Sequence, residues 1–449
     1  MKKAIFLVED IINNQPVTLY EKISWNLTNE LEHCGRPLMW LRENPRLLSS
    51  YESEYIKFVK VADFIKEVET SGMPADLNVY YYISCRYSLD LTNPQDFLLI
   101  DYPVIKFLSR QNIPIILDSS YEQVHHYNSA FELFSSGRTA WLYDRVELEI
   151  LKTIQFIVLG STIIPSAKNN VHNLNVRYGT FPAGFFFYNY KHGPYYNSLR
   201  ENESSIIERI KSKQITEETF VWEAWQHEPR WFRTLFQLKA ESKNLTGKIG
   251  RYSRLNKGRQ RLLNFIHDKN HPHGRCPEIV GHPYFNFLTD ELLNMADEIR
   301  LLDGAVKWPG DKCSLVLPET DSMFIVAMET CEPRTIADVI NSTSNLTEKS
   351  TLRITSGQAF IPLGGQHLGS ILKDLGFKDF KKLEWPCLPH IFDELDYVID
   401  RIEDIVSLSL EQRHVLYADW QENLLHNFHL YMNIDIPKEY LRSVYRATE

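Results

Sequence analysis

The chain has 449 residues, 43% of them hydrophobic and 24% charged, with a formal net charge of −9. That length exceeds what one hydrophobic core holds, so two domains are expected, and the composition is that of a folded globular protein. The acidic balance argues against a protein that coats DNA indiscriminately, while leaving room for a local basic cleft.

Six cysteines (Cys34, Cys85, Cys276, Cys313, Cys331 and Cys387) are scattered without a Cys-x-x-Cys pair. This spacing speaks against a disulfide framework or a structural zinc and for a reducing compartment. Lys2-Lys3 precedes only a short apolar run before Glu9-Asp10, too short for a signal-peptide core. No apolar stretch reaches the length of a membrane span. A cytoplasmic location is expected.

Along the first part of the chain, short apolar runs at residues 4–8, 79–84, 97–100, 113–117 and 156–160 alternate with amphipathic stretches such as 18–33 and 102–111. Strands alternating with helices imply an α/β domain with a mostly parallel sheet, here assigned to residues 1–165. Two of the runs end as strand-end clefts do. Asp118-Ser119-Ser120-Tyr121-Glu122 follows one, and Gly160-Ser161 closes another.

Residues 166–237 break this rhythm. Tyr178–Tyr188 and Gly193-Pro194-Tyr195-Tyr196 are aromatic and punctuated by Gly and Pro, which reads as loop and connection. Thr216-Glu217-Glu218-Thr219 is expected to begin a helix running through Trp222 and Trp225. The aromatic cluster Trp222 to Trp231 reads as packing between domains, or as a stacking surface for a sugar or base.

A second domain is expected over residues 238–409. Between Lys239 and Arg275 ten bases face two acids, Glu241 and Asp268, with Arg254-Leu255-Asn256-Lys257-Gly258-Arg259-Gln260-Arg261 the densest part. Such a segment suits a diphosphate, whose charges need several donors. It equally suits nucleic acid or a solvated helix face. The histidine-rich loop from His267 to Cys276, with His282, lacks regular ligand spacing, and no metal site is expected.

Further on, residues 323–380 hold an apolar run ending in Glu329, then Thr347-Glu348-Lys349-Ser350, then a second run ending in Gly364. This order sets an acid, a base and glycines at the carboxyl ends of parallel strands, where open α/β sheets hold ligands. Glu348 can accept both hydroxyls of a ribose, and Lys349 can reach phosphate oxygens. Thr347 or Asn345 can cap a helix whose first N–H groups favour an anion. A plain helix start explains the same triplet. Residues 410–449 read as a helical segment, with Leu416, Trp420, Leu424 and Phe428 at helical spacing.

This pattern resembles the donor-binding half of nucleotide-sugar glycosyltransferases, chiefly over residues 245–400. The Thr-Glu-Lys element is similar to that of the α1,3-fucosyltransferases, and the longer pattern resembles glycosyltransferase-like proteins encoded by large phages. The resemblance implies a GT-B-like α/β fold, with two Rossmann-like domains facing across a cleft and a C-terminal helix crossing back onto the first. It implies sugar transfer from a nucleotide-diphosphate donor to an acceptor hydroxyl, with no further cofactor. The acceptor would be a hydroxymethylated pyrimidine in phage DNA, within the host cytoplasm, or a glycan. Asn256 with Arg259 or Arg261, the latter favoured, would meet the diphosphate. Glu329 would lie near the donor, with Glu319 the second choice. Leu352-Arg353 stands where the related pattern has Lys-Pro, a departure that removes support for a second base there. An inverting transferase also needs a base, for which Asp118 comes first and Glu122 second, with His125 and His126 behind them. The plain reading of Asp118 is a helix cap. The competing class is a non-catalytic nucleic-acid or protein interaction module on a degenerate transferase fold.

Overall fold

A computed structural model describes residues 2–12, 15–17, 51–84, 100–118, 120, 149–160, 174–189, 191, 196–226, 231–245, 247–251, 260, 262–263, 283–295, 322–329, 346, 348–364, 367–388 and 391–448. The chain divides into two compact units. Unit 1 comprises Met1–Pro194 with Asp435–Glu449, and unit 2 comprises Tyr195–Ile434.

Six strands of unit 1 form one parallel sheet: β1 (Ala4–Val8), β4 (Ile56–Lys60), β5 (Asn78–Ser84), β6 (Ile115–Asp118), β7 (Gln155–Gly160) and β8 (Asn175–Thr180). Their order is β4-β1-β5-β6-β7-β8, every neighbouring pair is parallel, and β2 (Asp10–Ile12) and β3 (Gln15–Val17) form a separate antiparallel ribbon. Parallel sheets are buried on both faces, which is why Ile-Ile-Leu in β6 and Phe-Ile-Val-Leu in β7 are unbroken apolar runs. On one face Leu7, Tyr81, Ile83, Leu117 and Val158 pack with Val61, Phe64 and Val68 of the helix Val61–Ser71. Ile105 and Leu108 of the helix Tyr102–Arg110 join the same core.

The opposite face is aromatic and is covered by the last helix, Ile436–Thr448. Phe6 stacks on Tyr82, Tyr51 stacks on Tyr440, and Phe181 meets Tyr440 edge-on. Gly179 in β8 lets this helix approach closely. A Cβ there would lie 2.9 Å from the Ser443 carbonyl and 3.1 Å from the Ala447 methyl. Asp435 begins the helix by accepting the Lys438 amide at 3.1 Å.

The sheet of unit 2 is also parallel, in the order β10-β9-β11-β12. Its strands are β9 (Phe220–Gln226), β10 (Lys248–Arg251), β11 (Ser322–Met328) and β12 (Ala359–Leu363). Every residue of β11 and β12 is buried. The helix Ile391–Val406 places Ile391, Leu395, Val398, Ile399, Ile402 and Ile405 in the core at helical spacing. The helix Leu410–Asn433 starts with a capping box between Ser409 and Gln412 and buries Leu416, Trp420, Leu424 and Phe428. Beyond the edge of the sheet, the Trp385 indole donates to the Phe360 carbonyl of β12 at 2.9 Å.

Three sequence expectations change here. Residues 216–219 form a turn and the following residues form the strand β9, where a helix was expected. Phe220, Val221, Trp222 and Trp225 favour a pleated surface, and sheet pairing on both sides outweighs the cap-like Thr-Glu-Glu-Thr before them. The stretch expected as connection holds β8, the buried rings of Phe181, Phe185 and Phe186, the helices Tyr196–Glu201 and Glu203–Ser212, β9 and the start of the helix Trp231–Ser242, and the units divide inside it at 194/195. The 410–449 segment is two helices, of which Leu410–Asn433 belongs to unit 2 and Ile436–Thr448 to unit 1. Among the described residues no helix is long and apolar enough to cross a membrane.

Candidate functional site

In each unit the second principal strand lies outside the first, and the chain then continues on the first strand's other side. The order reverses between β1 and β5 in unit 1 and between β9 and β11 in unit 2. Ligands of open α/β sheets bind outside the carboxyl ends of strands at such a reversal. In unit 2 this point carries a concentration of buried polar groups.

The helix Trp231–Ser242 follows β9, and Arg233 is its third residue. Arg233 is 2% exposed, and its Nη2 donates to the carbonyls of Met328 at 3.1 Å and Glu329 at 3.0 Å. The guanidinium thus reaches from the β9 side of the reversal to the carboxyl end of β11. Burial of this charge is offset by charge-assisted bonds to carbonyls at the carboxyl end of β11.

Glu329 directly follows β11 and is fully buried. Its amide donates to the Leu363 carbonyl at 2.7 Å, and its Oε1 accepts the Ser350 amide at 3.1 Å and the Ser350 hydroxyl at 2.6 Å. Ser350 is the third residue of the helix Glu348–Thr355, so the carboxylate binds the first turn as an N-cap side chain would. The turn after β12 closes the group. Gly364 adopts φ +114°, its amide donates to Oε1 of the buried Glu394 at 3.1 Å, and a Cβ there would sit 3.0 Å from the Phe232 ring and 3.2 Å from the Glu329 carbonyl. Only glycine combines this backbone angle with that approach.

Of the expected donor residues, the structure brings Glu329, Glu348 and Lys349 to this strand end. Glu348 opens the helix and Lys349 is its half-buried second residue. Asn256, Arg259, Arg261 and Thr347 lie outside the described residues, as do Glu122, Glu319, the adjacent histidines His125 and His126, and the histidine-rich loop. Among the described residues no group of three or more His, Cys, Asp or Glu is placed to hold a metal.

Two expectations about charge need correcting. Lys239 pairs with Asp396 and the Tyr284 hydroxyl, its ammonium 4.0 Å from the centre of the Tyr284 ring. Lys243 meets Glu403 at 2.7 Å and Asp400 at 3.3 Å. These bonds to the acidic helix Ile391–Val406 hold the Lys243 ammonium above its usual pKa, Glu403 foremost. Two of the ten bases in the basic segment are therefore neutralised by the chain's own acids, which was hidden because those acids lie more than 150 positions downstream.

Asp118, at the end of β6 in unit 1, has an environment unlike that of a base. It is 5% exposed. Oδ2 accepts the hydroxyls of Tyr82 at 2.5 Å and Tyr440 at 3.0 Å, and Oδ1 accepts the Ser120 amide at 2.9 Å and hydroxyl at 2.5 Å. A carboxylate fastened by four donors stabilises structure, and proton abstraction would require breaking part of that set. Burial foremost, then the Asp118 charge, keeps the Tyr440 phenol protonated far above its ordinary range. Sequence reasoning missed Arg233, Glu394 and Tyr440. Arg233 had one available signal, a lone charge inside the apolar run Trp231-Phe232-Arg233-Thr234-Leu235-Phe236.

Compared with known proteins, the chain matches no protein-family model and no curated protein.

Proposed function

We propose that the chain is a glycosyltransferase whose nucleotide-diphosphate sugar binds at the carboxyl end of the β9–β11–β12 sheet. The observation that carries this reading is the Glu348-Lys349 pair, which opens a helix tied to the end of β11 beside the reversal in strand order. Glu348 would accept the ribose hydroxyls, and Lys349 would neutralise phosphate charge. Arg261 or Arg259, with Asn256, would complete the diphosphate site. Protein cations of this kind stabilise a departing nucleotide diphosphate electrostatically.

Glu329 enters this reading as a support for the helix. The base that inverting transfer requires is better sought at Glu122 than at Asp118, whose carboxylate is already engaged. For the acceptor, a DNA hydroxymethylpyrimidine and a glycan hydroxyl both fit the chemistry. Neutralisation of Lys239 and Lys243 weakens the electrostatic case for a broad nucleic-acid surface. Incubating the protein with sugar nucleotides and measuring released nucleoside diphosphate tests the reaction. Transfer of labelled sugar to hydroxymethylated DNA or to glycans then assigns the acceptor. No release from any sugar nucleotide, with or without acceptors, would remove the transferase reading.

A further inference from the structure

We infer that Glu329 is a positioning residue for the nucleotide, acting through the helix Glu348–Thr355 without touching the donor. The inference rests on the donor reading above. A strand-end acid in such a fold invites a direct ligand role, but this one is committed to protein partners. Its amide, carbonyl and side-chain Oε1 bind Leu363, Arg233 and Ser350 respectively. Both Glu329 and Ser350 are fully buried.

The consequence lies in what these bonds fix. Pinning the Ser350 amide and hydroxyl to one oxygen sets the axial position and rotation of the helix's first turn. Lys349 immediately precedes Ser350, so its direction follows from the same anchor. Arg233 holds the Glu329 carbonyl from the β9 side, and the close approach of Gly364 backs it from β12. The carboxylate also places negative charge at the positive end of the helix. Glu329 therefore sets where the Lys349 ammonium is offered, while its own oxygen stays on Ser350.

Hydrogen exchange on the ligand-free protein and calorimetry with UDP and GDP test this together. Glu329→Ala should speed amide exchange within residues 348–355 by about tenfold, equivalent to roughly 1.4 kcal/mol. Exchange in the helix Tyr102–Arg110 of unit 1 should stay as in the wild type. Nucleotide affinity should fall in parallel, and Glu329→Gln, which keeps an acceptor for Ser350, should recover most of both. Ser350→Ala should reproduce the loss, adding little on top of Glu329→Ala. It also serves as the test if the alanine variant at 329 does not fold. Additive losses from the two sites, unchanged exchange in Glu329→Ala, or normal exchange with poor affinity in Glu329→Gln would overturn the inference. The last result would signal direct donor contact. A wild type that binds neither UDP, GDP nor any other nucleoside diphosphate removes the donor reading and this role together, whereas intact binding with unaffected exchange removes this role alone.

Discussion

The Tyr440 phenol donates to Oδ2 of Asp118 at 3.0 Å, fastening the last helix of the chain to the carboxyl end of a central strand of unit 1. The bond spans 322 positions and lies within an aromatic layer formed by Phe6, Tyr51, Tyr82 and Phe181. Removing one donor from a buried carboxylate is costly. Tyr440→Phe should therefore destabilise the protein by about 1–3 kcal/mol in urea unfolding. A variant as stable as the wild type would show that this bond contributes nothing.

The same tyrosine gives a pH dependence. Burial, with the Asp118 charge next, raises its pKa in the folded state, while the unfolded chain ionises near the ordinary value of about 10. The folded state then keeps a proton that the unfolded state loses. The associated stability is present below about pH 10 and declines as pH rises above it, by at most about 1.4 kcal/mol per pH unit for each such group. Tyr440→Phe should flatten the alkaline loss of stability in unfolding curves collected from pH 8 to 11. An unchanged slope would contradict the assignment.

Gly364 should resist substitution. Its φ of +114° and the contacts of its hypothetical Cβ with Phe232 and Glu329 make alanine strained on both counts. Gly364→Ala is expected to lower stability by about 1–3 kcal/mol. Gly72, also at positive φ but with open space around it, should tolerate alanine better, so comparing their urea midpoints separates crowding from backbone angle.

Much of the sheet architecture was legible in the sequence, because β1, β6 and β7 are short apolar runs between turn residues, as in the strands of a doubly covered parallel sheet. The strand β9 was not, since Glu223 interrupts its apolar pattern and a cap-like tetrapeptide precedes it. Burial of Glu223 at 1% exposure, with Ser322 donating to it at 3.1 Å, is a property of the folded neighbourhood. Local spacing singled out Glu329 and Lys349, but the bond from Glu329 to Ser350 and the reach of Arg233 to β11 are tertiary facts. Asp118 was noticed for its place at a strand end, while its partners on β5 and the last helix decide its role.

Charge neutralisation predicts a negative result at two lysines. Because Lys239 and Lys243 are engaged with Asp396, Asp400 and Glu403, replacing both with glutamine should leave the salt dependence of any DNA retention unchanged in filter binding. The more exposed pairs of Lys243 contribute roughly 0–1 kcal/mol each to stability. A flatter salt dependence in the double variant would show that these ammonium groups meet phosphates after all.

Whether the strand end of unit 2 binds a nucleoside diphosphate is decided by calorimetric titration into the wild type and Lys349→Ala. Lys349 is half-buried at the start of its helix, so urea unfolding of the variant is run beside the titration to separate lost binding from lost folding. One site of micromolar-range affinity is expected in the wild type, with a loss of about tenfold, roughly 1.4 kcal/mol, in the variant. Wild-type protein that releases no heat with any nucleoside diphosphate, or a variant that binds as tightly as the wild type, would contradict it.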